Sequence, residues 1–318
     1  MTIEVDSNKQ SKTINILCWL NGVGLSRDAN ILKNELSPLG HTVRLVDIYP
    51  ATPLPLKDIP PADINIFIEH AYETLFPSAK KNYYIPNPEW CQVPPHVIKK
   101  LDLILCRTHE VERIFSPIAK KTYYIGFASI DRSQPKAKKD FSKILHLRGQ
   151  SIAKGTTSVL NLWYDHPKYP ELNLISFREP DPKLENVKCY SNYLSEDQLL
   201  SLQNQCGIHL CPSETEGFGH YIGEALSVGA VVVTTDAPPM NEFITDTRCL
   251  VKAKFSSQQN YATNYYVDDA HFEEVLSNLL ALPKEELMAI GKKNRKAYLE
   301  GKRAFKERLK QLFNEPIN

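Results

Sequence analysis

Short apolar runs alternate with amphipathic segments along the first part of the chain. Ile14–Leu20 is an apolar run that ends at the turn sequence Asn21-Gly22-Val23-Gly24. Ser26–Leu36 then carries apolar residues at helical spacing, and Thr42–Ile48 is a second apolar run. A strand, a glycine turn, a helix and a second strand in succession predict a βαβ unit and therefore a parallel sheet. Two further strands are predicted at Ile64–Ile68 and Leu101–Cys106.

The same alternation begins again after the segment Asp131–Asp140. That segment is polar, charged and interrupted by Pro135, which is the composition of a linker. The pattern therefore predicts two α/β domains, over residues 1–135 and 140–295.

Strands and helices alternate through the second half as well. Ser195 stands three residues before Gln198, which predicts a capping box at the start of a helix. The predicted strands are Ile144–Leu147, Leu172–Phe177, Val187–Tyr190, Ile208–Cys211 and Val231–Thr235. The predicted helices lie near Thr156–Trp163, over Leu199–Gln205, through Glu224–Val228 and along the tail Glu285–Phe313.

Composition and charge narrow the class of ligand. The 318 residues are 42% hydrophobic and 24% charged, which is typical of a globular protein and not of a disordered or fibrous one. Lys and Arg number 38 against 37 Asp and Glu, a net charge of +1. This balance disfavours a protein whose whole surface binds nucleic acid, and it favours a small neutral or locally anionic ligand.

Cysteine spacing and hydropathy predict the environment of the protein. The seven cysteines are scattered without a C-x-x-C pair, which disfavours a zinc site or a disulfide framework. Residues 1–13 are polar and lack the apolar core of a secretory signal, and no run approaches 18 apolar residues. We therefore expect a reduced, soluble, cytoplasmic protein.

The segment Pro212–Gly229 (PSETEGFGHYIGEALSVG) carries the most specific chemical pattern. It follows a predicted strand and opens a predicted helix. Small residues at Gly217 and Gly219 let a ligand approach the backbone N–H groups, and a helix N-terminus favours anions. Glu216 and Glu224 have seven residues between them, so their carboxylates reach different parts of an elongated ligand. The pattern predicts a site for phosphate or sugar hydroxyls.

The sequences EGFG and EALSVG in this segment resemble the E-x(7)-E signature of the family-four retaining glycosyltransferases. The following strand Val231–Thr235 and Glu242 also fit that family. The resemblance implies that Glu216 and the backbone of Gly217-Phe218-Gly219 contact the donor sugar, and that Glu224 contacts the nucleotide ribose. The alternative is that the two glutamates flank an ordinary helix start and bind no ligand.

A second similarity to the family lies upstream, where Arg148 ends a predicted strand and Lys154-Gly155 follows. Arg148 offers a planar fork of donors and Lys154 a mobile point charge. Together they suit a diphosphate that gains negative charge as the glycosidic bond breaks. The alternative is a surface Arg and Lys around a turn.

The glycine turn of the first half has two interpretations. In the glycosyltransferase interpretation, Gly22 and Gly24 form a donor-binding loop that faces the diphosphate. Asp47 ends the second strand and is compatible with a nicotinamide dinucleotide, but Arg27 stands where the third glycine of that fingerprint belongs. A plain βα turn is the remaining alternative.

Histidines near predicted strand ends are candidates for contact with the sugar or the acceptor. His109 is the catalytic candidate, and His70 is its rival. The place where the family often has a cleft histidine reads instead Tyr84-Ile85-Pro86-Asn87-Pro88-Glu89-Trp90, which makes Asn87 and Glu89 further candidates. Buried or capped structural histidines are the alternative.

The resemblance implies a GT-B fold, with two Rossmann-like domains facing a cleft and a C-terminal helix, about residues 298–318, that crosses back to the first domain. The implied enzyme is a retaining hexosyltransferase that uses a nucleotide diphosphate sugar, with UDP favoured and GDP possible. No Asp-x-Asp metal motif is evident, so we expect no metal and no cofactor. The acceptor is open among glycan, lipid, protein, small molecule and modified nucleic acid, and no obligate protein partner is expected.

Three other functions remain as alternatives. A sugar-nucleotide epimerase of the same fold would share the diphosphate site and work without an acceptor. A nicotinamide-dependent oxidoreductase would use the Gly22–Asp47 unit, and a non-catalytic protein would bind a nucleotide sugar without turnover. Basic residues along 291–310 suit either a weak peripheral membrane contact or the solvated face of a helix.

Overall fold

The computed structural model describes residues 11–50, 52, 54–177 and 182–315. The chain divides into two compact units, one formed by Met1–Phe127 with Lys302–Asn318 and the other by Ala128–Gly301. The first ten residues, for which the sequence predicts no secretory signal, lie outside the described residues, as do positions 51, 53, 178–181 and 316–318.

The first unit is built on a parallel sheet of six strands in the order β2-β1-β3-β4-β5-β6. Apolar side chains of the inner strands are buried, as expected for a sheet covered on both faces. The strands are β1 (Thr13–Cys18), β2 (Thr42–Asp47), β3 (Ala62–Ile68), β4 (Ala79–Ile85), β5 (Leu103–Cys106) and β6 (Thr122–Tyr124). The helices are α1 (Gly24–Leu36), α2 (Pro95–Ile98) and α3 (His109–Phe115).

Strand β4 was not predicted, because it begins with the polar sequence Ala79-Lys80-Lys81-Asn82. Its buried position is stabilised by a ladder of asparagine side chains that runs across the sheet. Asn15 donates to the Asn65 side chain at 3.2 Å, and Asn65 donates to the Asn82 side chain at 3.1 Å. These hydrogen bonds compensate for the burial of three amides that a hydropathy pattern would place on the surface.

The second unit repeats the architecture, with a parallel six-stranded sheet in the order β12-β11-β10-β7-β8-β9. A separate antiparallel hairpin, β13 with β14, follows this sheet. The strands are β7 (Asp140–Gly149), β8 (Glu171–Ser176), β9 (Val187–Tyr190), β10 (Cys206–Cys211), β11 (Val231–Thr235), β12 (Leu250–Val251), β13 (Ala253–Gln259) and β14 (Ala262–Val267). The helices are α4 (Thr156–Asp165), α5 (Glu196–Gln205), α6 (His220–Ser227), α7 (Asp269–Leu280) and α8 (Lys284–Asn314).

Helix α5 begins at the capping box expected from the sequence. The Ser195 hydroxyl accepts a hydrogen bond from the Gln198 backbone N–H at 3.2 Å. The Gln198 side chain accepts one in return from the Ser195 backbone N–H at 2.9 Å. The prediction is confirmed, because both N–H groups of the first turn find the partners that the motif supplies.

The polar segment after residue 128 is bound to the second unit and does not behave as a solvated linker. The Ser129 hydroxyl donates to the His220 carbonyl at 3.0 Å, and the Arg132 backbone N–H donates to the Ser227 hydroxyl at 3.0 Å. Arg295 pairs with Asp131 at 2.7 Å. These contacts place the division between the units after Phe127, earlier than the predicted domain end at residue 135.

Helix α8 contributes residues to both units, up to Gly301 in the second and from Lys302 in the first. Tyr298 belongs to the second unit, where its hydroxyl donates to the Ser129 carbonyl at 2.7 Å. Phe305, Leu309 and Phe313 follow one another at helical spacing along α8 and are buried in the first unit. The expected return of the C-terminal helix to the first domain is thereby confirmed.

Both units are Rossmann-like α/β domains, as predicted. Among the helices of the described residues, none has the length and apolar content needed to cross a membrane.

Candidate active site

The loop between β10 and α6 carries the residues with the most specific sequence pattern. It is held by three neighbouring elements. The Thr235 hydroxyl donates to the Ser213 carbonyl at 2.6 Å, the Glu214 N–H donates to the Ala153 carbonyl at 3.1 Å, and the Tyr265 N–H donates to the Glu214 carbonyl at 2.7 Å. Strand β11, the turn after β7 and hairpin strand β14 therefore fix the loop in place.

Gly219 ends this loop and caps α6 in the left-handed conformation, at φ +86°. A Cβ atom there would lie 3.2 Å from Ile222 Cδ1 and 3.4 Å from Glu216 Cγ. The glycine thus lets the Glu216 side chain lie against the start of the helix. The neighbouring Phe218 ring is buried and packs edge-on against Phe243, with ring centroids 5.5 Å apart, so the ring anchors the loop.

Lys154 and Glu216 form an ion pair in the second unit. Their side chains are only 16% and 10% exposed. The Ser213 hydroxyl also donates to the Glu216 carboxylate, and the Lys154 ammonium lies 4.1 Å from the centroid of the Tyr221 ring. The structure therefore brings together one residue predicted to bind the diphosphate and one predicted to bind the sugar.

Ser213 lies between Tyr221 and Glu216 and is hydrogen-bonded to both side chains. The sequence motifs around Glu216 and Lys154 did not predict a role for Ser213 or Tyr221. Burial raises the pKa of the Tyr221 hydroxyl well above its usual value, so the group stays protonated. Because the Ser213 hydroxyl donates its proton to Glu216, it accepts the hydrogen bond from Tyr221. The chain from Tyr221 through Ser213 orients the Glu216 carboxylate.

Arg148, near the end of β7, is buried with its guanidinium in a fixed direction. Its Nε donates to the Ser151 carbonyl at 3.0 Å, and one terminal nitrogen donates to the Ser176 hydroxyl at 3.1 Å. Burial lowers the pKa of the neighbouring His146, and the positive charges of Lys154 and Arg148 lower it further, so both cations act on the same buried histidine. A region with two cations is suited to an anionic ligand.

His146 connects the turn that carries Lys154 to strand β10. Its Nδ1 lies 2.9 Å from the Leu210 carbonyl and its Nε2 lies 2.8 Å from the Thr156 hydroxyl. A carbonyl only accepts, so Nδ1 carries the proton and Nε2 accepts from Thr156. This neutral form agrees with the pKa of His146, which burial lowers to about 4.

We predict that acid destabilises the protein partly through His146. The histidine has a pKa near 6.5 when unfolded and about 4 when folded, so below about pH 6.5 the unfolded chain binds a proton that the native chain excludes. The free energy of unfolding should therefore fall by about 1 kcal/mol from this group between pH 7.5 and pH 5.5. Urea unfolding at both pH values measures the loss.

The matched variant for this prediction is His146→Asn, which keeps a donor toward Leu210 but does not titrate. The difference in unfolding free energy between the two pH values should be smaller in the variant by about 1 kcal/mol. An unchanged pH dependence would show that His146 is not the group responsible.

Glu224 lies on α6 and is only 3% exposed. Its carboxylate accepts a hydrogen bond from the Gln203 side chain at 2.8 Å. Gln203 belongs to α5 and was not predicted as a site residue. Among the described residues, no cluster of three or more His, Cys, Asp or Glu side chains forms a metal-binding arrangement.

A known family model matches the part of the second unit that carries Glu216 and Glu224. Residues 182–297, which include the loop before α6 and α6 itself, match the family model for glycosyl transferases group 1. The chain carries a group 1 glycosyltransferase domain. No curated protein matches the sequence significantly.

Several solved structures resemble almost the whole chain. A glycosyltransferase from Rickettsia africae ESF-5 is 12% identical, with a TM-score of 0.72 over 96% of this chain and 98% of its own. Sucrose-phosphate synthase from Thermosynechococcus elongatus is 12% identical, with a TM-score of 0.65 over 95% and 98%. An α,α-trehalose-phosphate synthase (UDP-forming) from Burkholderia vietnamiensis is 11% identical, with a TM-score of 0.63 over 95% and 99%. These similarities establish the GT-B fold.

In the first unit, the glycine turn leaves space around its backbone. Gly22 has φ +73°, and its N–H donates to the Ser26 hydroxyl at 2.7 Å. Gly24 is the first residue of α1, whose start has no side-chain cap. A Cβ atom at either glycine would meet nothing within 4 Å. The fold itself therefore does not require the absence of a side chain at Gly24.

We predict that Gly24→Ala leaves the fold intact and lowers kcat/KM for the sugar donor. The backbone at Gly24 is helical, so alanine should raise the free energy of unfolding by about 0.5 kcal/mol. If a diphosphate approaches this backbone, the methyl group should lower kcat/KM about tenfold. Thermal unfolding and steady-state kinetics test the two effects separately. An unchanged kcat/KM would place the donor away from Gly24.

His109 is the first residue of α3, and its side chain is 66% exposed. Its ring stacks on Tyr124 with centroids 4.0 Å apart, and its Nδ1 lies 3.4 Å from the Glu112 carboxylate. His70 is half-buried, with Nε2 at 3.3 Å from the Glu69 carboxylate. The two candidate histidines thus differ in surroundings, and His70 joins a larger polar cluster through Glu69.

That cluster lies where strands β3, β4 and β5 end. Arg107 pairs with Asp28 at 2.7 Å and donates to the Asn87 side chain, and Asn87 donates to the Glu69 carboxylate at 2.7 Å. Glu69 has φ +66°, an uncommon conformation for a residue other than glycine. Asn87 was a candidate from the sequence, whereas Asp28, Arg107 and Glu69 were missed. The one signal was Arg107, a charged residue directly after the apolar strand β5.

Proposed function

We propose that the glycosyltransferase transfers a hexosyl group from a nucleotide diphosphate sugar, with a UDP-sugar favoured, and that the anomeric configuration is retained. The observation that carries the proposal is the largely buried ion pair of Lys154 with Glu216, in the same unit as the buried Arg148. It supplies cations for the diphosphate and a carboxylate for sugar hydroxyls within one region of the second unit.

The departing diphosphate gains negative charge while the sugar becomes oxocarbenium-like. Arg148 is pre-oriented by Ser151 and Ser176, so its guanidinium needs little reorganisation to stabilise that charge. The Lys154 ammonium has three donors, so it can bind a phosphate oxygen without leaving Glu216. Charge developing on the leaving group is thereby met by groups already in place.

Glu216 has the chemistry to orient the donor sugar. A carboxylate accepts several hydrogen bonds. Ser213 and Lys154 both donate to the same oxygen of Glu216, Oε1. The sugar hydroxyls would donate to the other oxygen, and the backbone of Gly217-Phe218-Gly219 would lie along the sugar. The leaving phosphate is proposed to take the proton of the acceptor hydroxyl, so no side chain is assigned as the base. His109 is proposed as a catalytic residue that contacts the sugar or the acceptor.

The nucleotide is proposed to be UDP, since one structural relative is described as UDP-forming. Glu224 is assigned to the ribose hydroxyls. Glu224→Ala removes this acceptor, and we expect the dissociation constant for UDP to rise about tenfold. Isothermal titration of UDP measures the change, and an unchanged dissociation constant would contradict the ribose assignment.

The reaction is proposed to need no metal, because Arg148 and Lys154 supply positive charge for the diphosphate. The proposed acceptor is a glycan, a lipid, a protein, a small molecule or a modified nucleic acid. A cytoplasmic location is proposed on the scattered cysteines of the sequence. Weak peripheral contact with anionic membranes is proposed through the exposed basic side chains Lys292, Lys293, Lys296 and Arg303 of α8.

A thermal-shift panel tests this function. UDP, GDP, ADP, NAD and common sugar conjugates are added in the presence of EDTA, because a ligand that binds only the native state raises the melting temperature. We expect UDP and one UDP-sugar to stabilise the protein. Stabilisation by NAD alone would overturn the proposal and move the site to the Gly22–Asp47 unit. Consumption of a nucleotide sugar without an acceptor to give an epimer would identify an epimerase.

A further inference from the structure

Helix α5 buries two amides where a helix against a sheet usually buries apolar residues. Its buried residues are Gln203 and Asn204, which are 1% and 3% exposed. Burying an amide is unfavourable unless its hydrogen bonds are made. The partners of these amides therefore explain why α5 carries them.

The side-chain amide of Gln203 connects Glu224 to Arg132. Its Nε2 donates to the Glu224 carboxylate at 2.8 Å, and its Oε1 accepts from Arg132 Nε at 2.7 Å. Arg132 is buried and also pairs with Glu196. Four side chains thus form a continuous series, from Glu196 at the surface of α5 through Arg132 and Gln203 to Glu224 on α6.

The chemistry of the two ends determines the orientation of the Gln203 amide. An ionised carboxylate only accepts hydrogen bonds and a guanidinium only donates them. With the amide reversed, its oxygen would face the Glu224 oxygen and its NH₂ group would face the Arg132 N–H. Both hydrogen bonds would be lost, so Arg132 keeps the Gln203 donor directed at Glu224.

Two hydrogen bonds to the backbone of Arg132 fix its position. Its N–H donates to the Ser227 hydroxyl at 3.0 Å, and its carbonyl accepts from the Asn204 side chain at 2.8 Å. Asn204 thus stabilises the same segment as Gln203 but does not appear in the hydrogen-bond series that reaches Glu224. The two adjacent buried amides of α5 have separable roles.

We propose that Gln203 is a positioning residue that holds the Glu224 carboxylate toward the nucleotide ribose, and that Arg132 orients Gln203. This inference rests on the proposed function, in which Glu224 binds the ribose. A hydrogen bond to a charged group is strong and directional, so its loss removes a contact that fixes the direction of the Glu224 carboxylate. Gln203 would then determine the preference for a ribonucleotide.

The test compares the dissociation constants of UDP and 2′-deoxy-UDP by isothermal titration, with GDP and 2′-deoxy-GDP in parallel. We expect the wild-type protein to prefer the ribonucleotide about tenfold, the effect of one hydrogen bond to a charged group. In Gln203→Met, which has a similar volume and no donor, the preference should fall to about twofold or less. The ratio of UDP to uridine affinity should stay unchanged, because it reports the diphosphate site.

Asn204→Ala is the matched control. It removes a buried amide from the adjacent position, so it should lower the melting temperature while the preference for UDP over 2′-deoxy-UDP stays at the wild-type value. If Gln203→Met does not fold, Gln203→Glu keeps the shape and the acceptor for Arg132 but replaces the donor toward Glu224. The ribose preference should be lost in that variant too.

The outcomes separate the two claims. A wild-type ribose preference in both folded Gln203 variants would overturn the positioning role and leave the proposed function standing. An equal loss in Asn204→Ala would also overturn it, since the effect would then follow from destabilisation of α5. If the wild-type protein binds no nucleoside diphosphate, the proposed function fails and this inference fails with it.

Discussion

Lys154→Ala is expected to lower kcat by about two orders of magnitude, the usual effect of losing one preorganised charge donor at a developing anion. The ammonium stands beside Glu216 and Tyr221 in a region with little solvent exposure, so water replaces it poorly. The variant leaves Glu216 with the Ser213 donor, which limits the accompanying loss of unfolding free energy to about 1–3 kcal/mol. Steady-state kinetics with the donor sugar measures the effect.

A matched control is Lys188→Ala, which removes a lysine from an exposed position of strand β9 in the same unit. It should leave kcat unchanged. Circular dichroism on both variants shows whether the fold is retained. Near-normal kcat in a folded Lys154→Ala protein would remove Lys154 from the diphosphate site.

Gly155→Ala should destabilise the second unit by about 3 kcal/mol or more. Gly155 has φ +62°, and a Cβ atom there would lie 2.2 Å from the Pro212 carbonyl oxygen. A backbone atom cannot rotate away as a side chain can. Alanine would therefore separate the turn that carries Lys154 from the loop that carries Glu216, and activity should fall together with stability.

Gly149→Ala provides the control for backbone strain alone. Gly149, the last residue of β7, has φ +61°, but a Cβ atom there would meet nothing within 4 Å. We expect it to cost about 1 kcal/mol. Urea unfolding of both variants gives the comparison. Equal destabilisation would show that Gly155 is needed only for its conformation and not for close approach to Pro212.

The periodicity of apolar residues was sufficient to predict the two parallel sheets. Strand β11 begins with three buried valines and β3 ends with the buried apolar residues Ile66-Phe67-Ile68. The capping box before α5 is a local motif whose partners lie within three residues. Phe305, Leu309 and Phe313 share one face of α8 at helical spacing. Each of these features depends on neighbouring positions of the chain, which a single sequence displays.

The features that sequence failed to predict depend on partners far along the chain. Strand β4 buries Asn82 because Asn65 lies beside it, and Arg132 is buried because Gln203 and Glu196 accept its hydrogen bonds. Polarity at these positions suggested a surface or a linker. A residue type alone does not show whether its hydrogen bonds are made to water or to another side chain.

The candidate site was foreseen unevenly for the same reason. Glu216, Lys154 and the glycines stood out because their motif combines small residues, charges and a helix start. Ser213 and Gln203 orient the acidic residues, but serine and glutamine are common and no spacing marks them. Hairpin strand β14, whose Tyr265 N–H donates to the Glu214 carbonyl, was not among the predicted strands, and its partner β13 has the polar sequence AKFSSQQ.

The central claim is that the second unit binds the diphosphate of a nucleotide sugar through Arg148 and Lys154. Isothermal titration of UDP and of uridine, each in the presence of EDTA, tests it most directly on the wild-type protein and on Lys154→Ala. We predict that the wild-type protein binds UDP much more tightly than uridine, and that Lys154→Ala weakens UDP binding at least tenfold without changing that of uridine. Equal affinities for UDP and uridine, or an unchanged affinity of Lys154→Ala for UDP, would contradict the account.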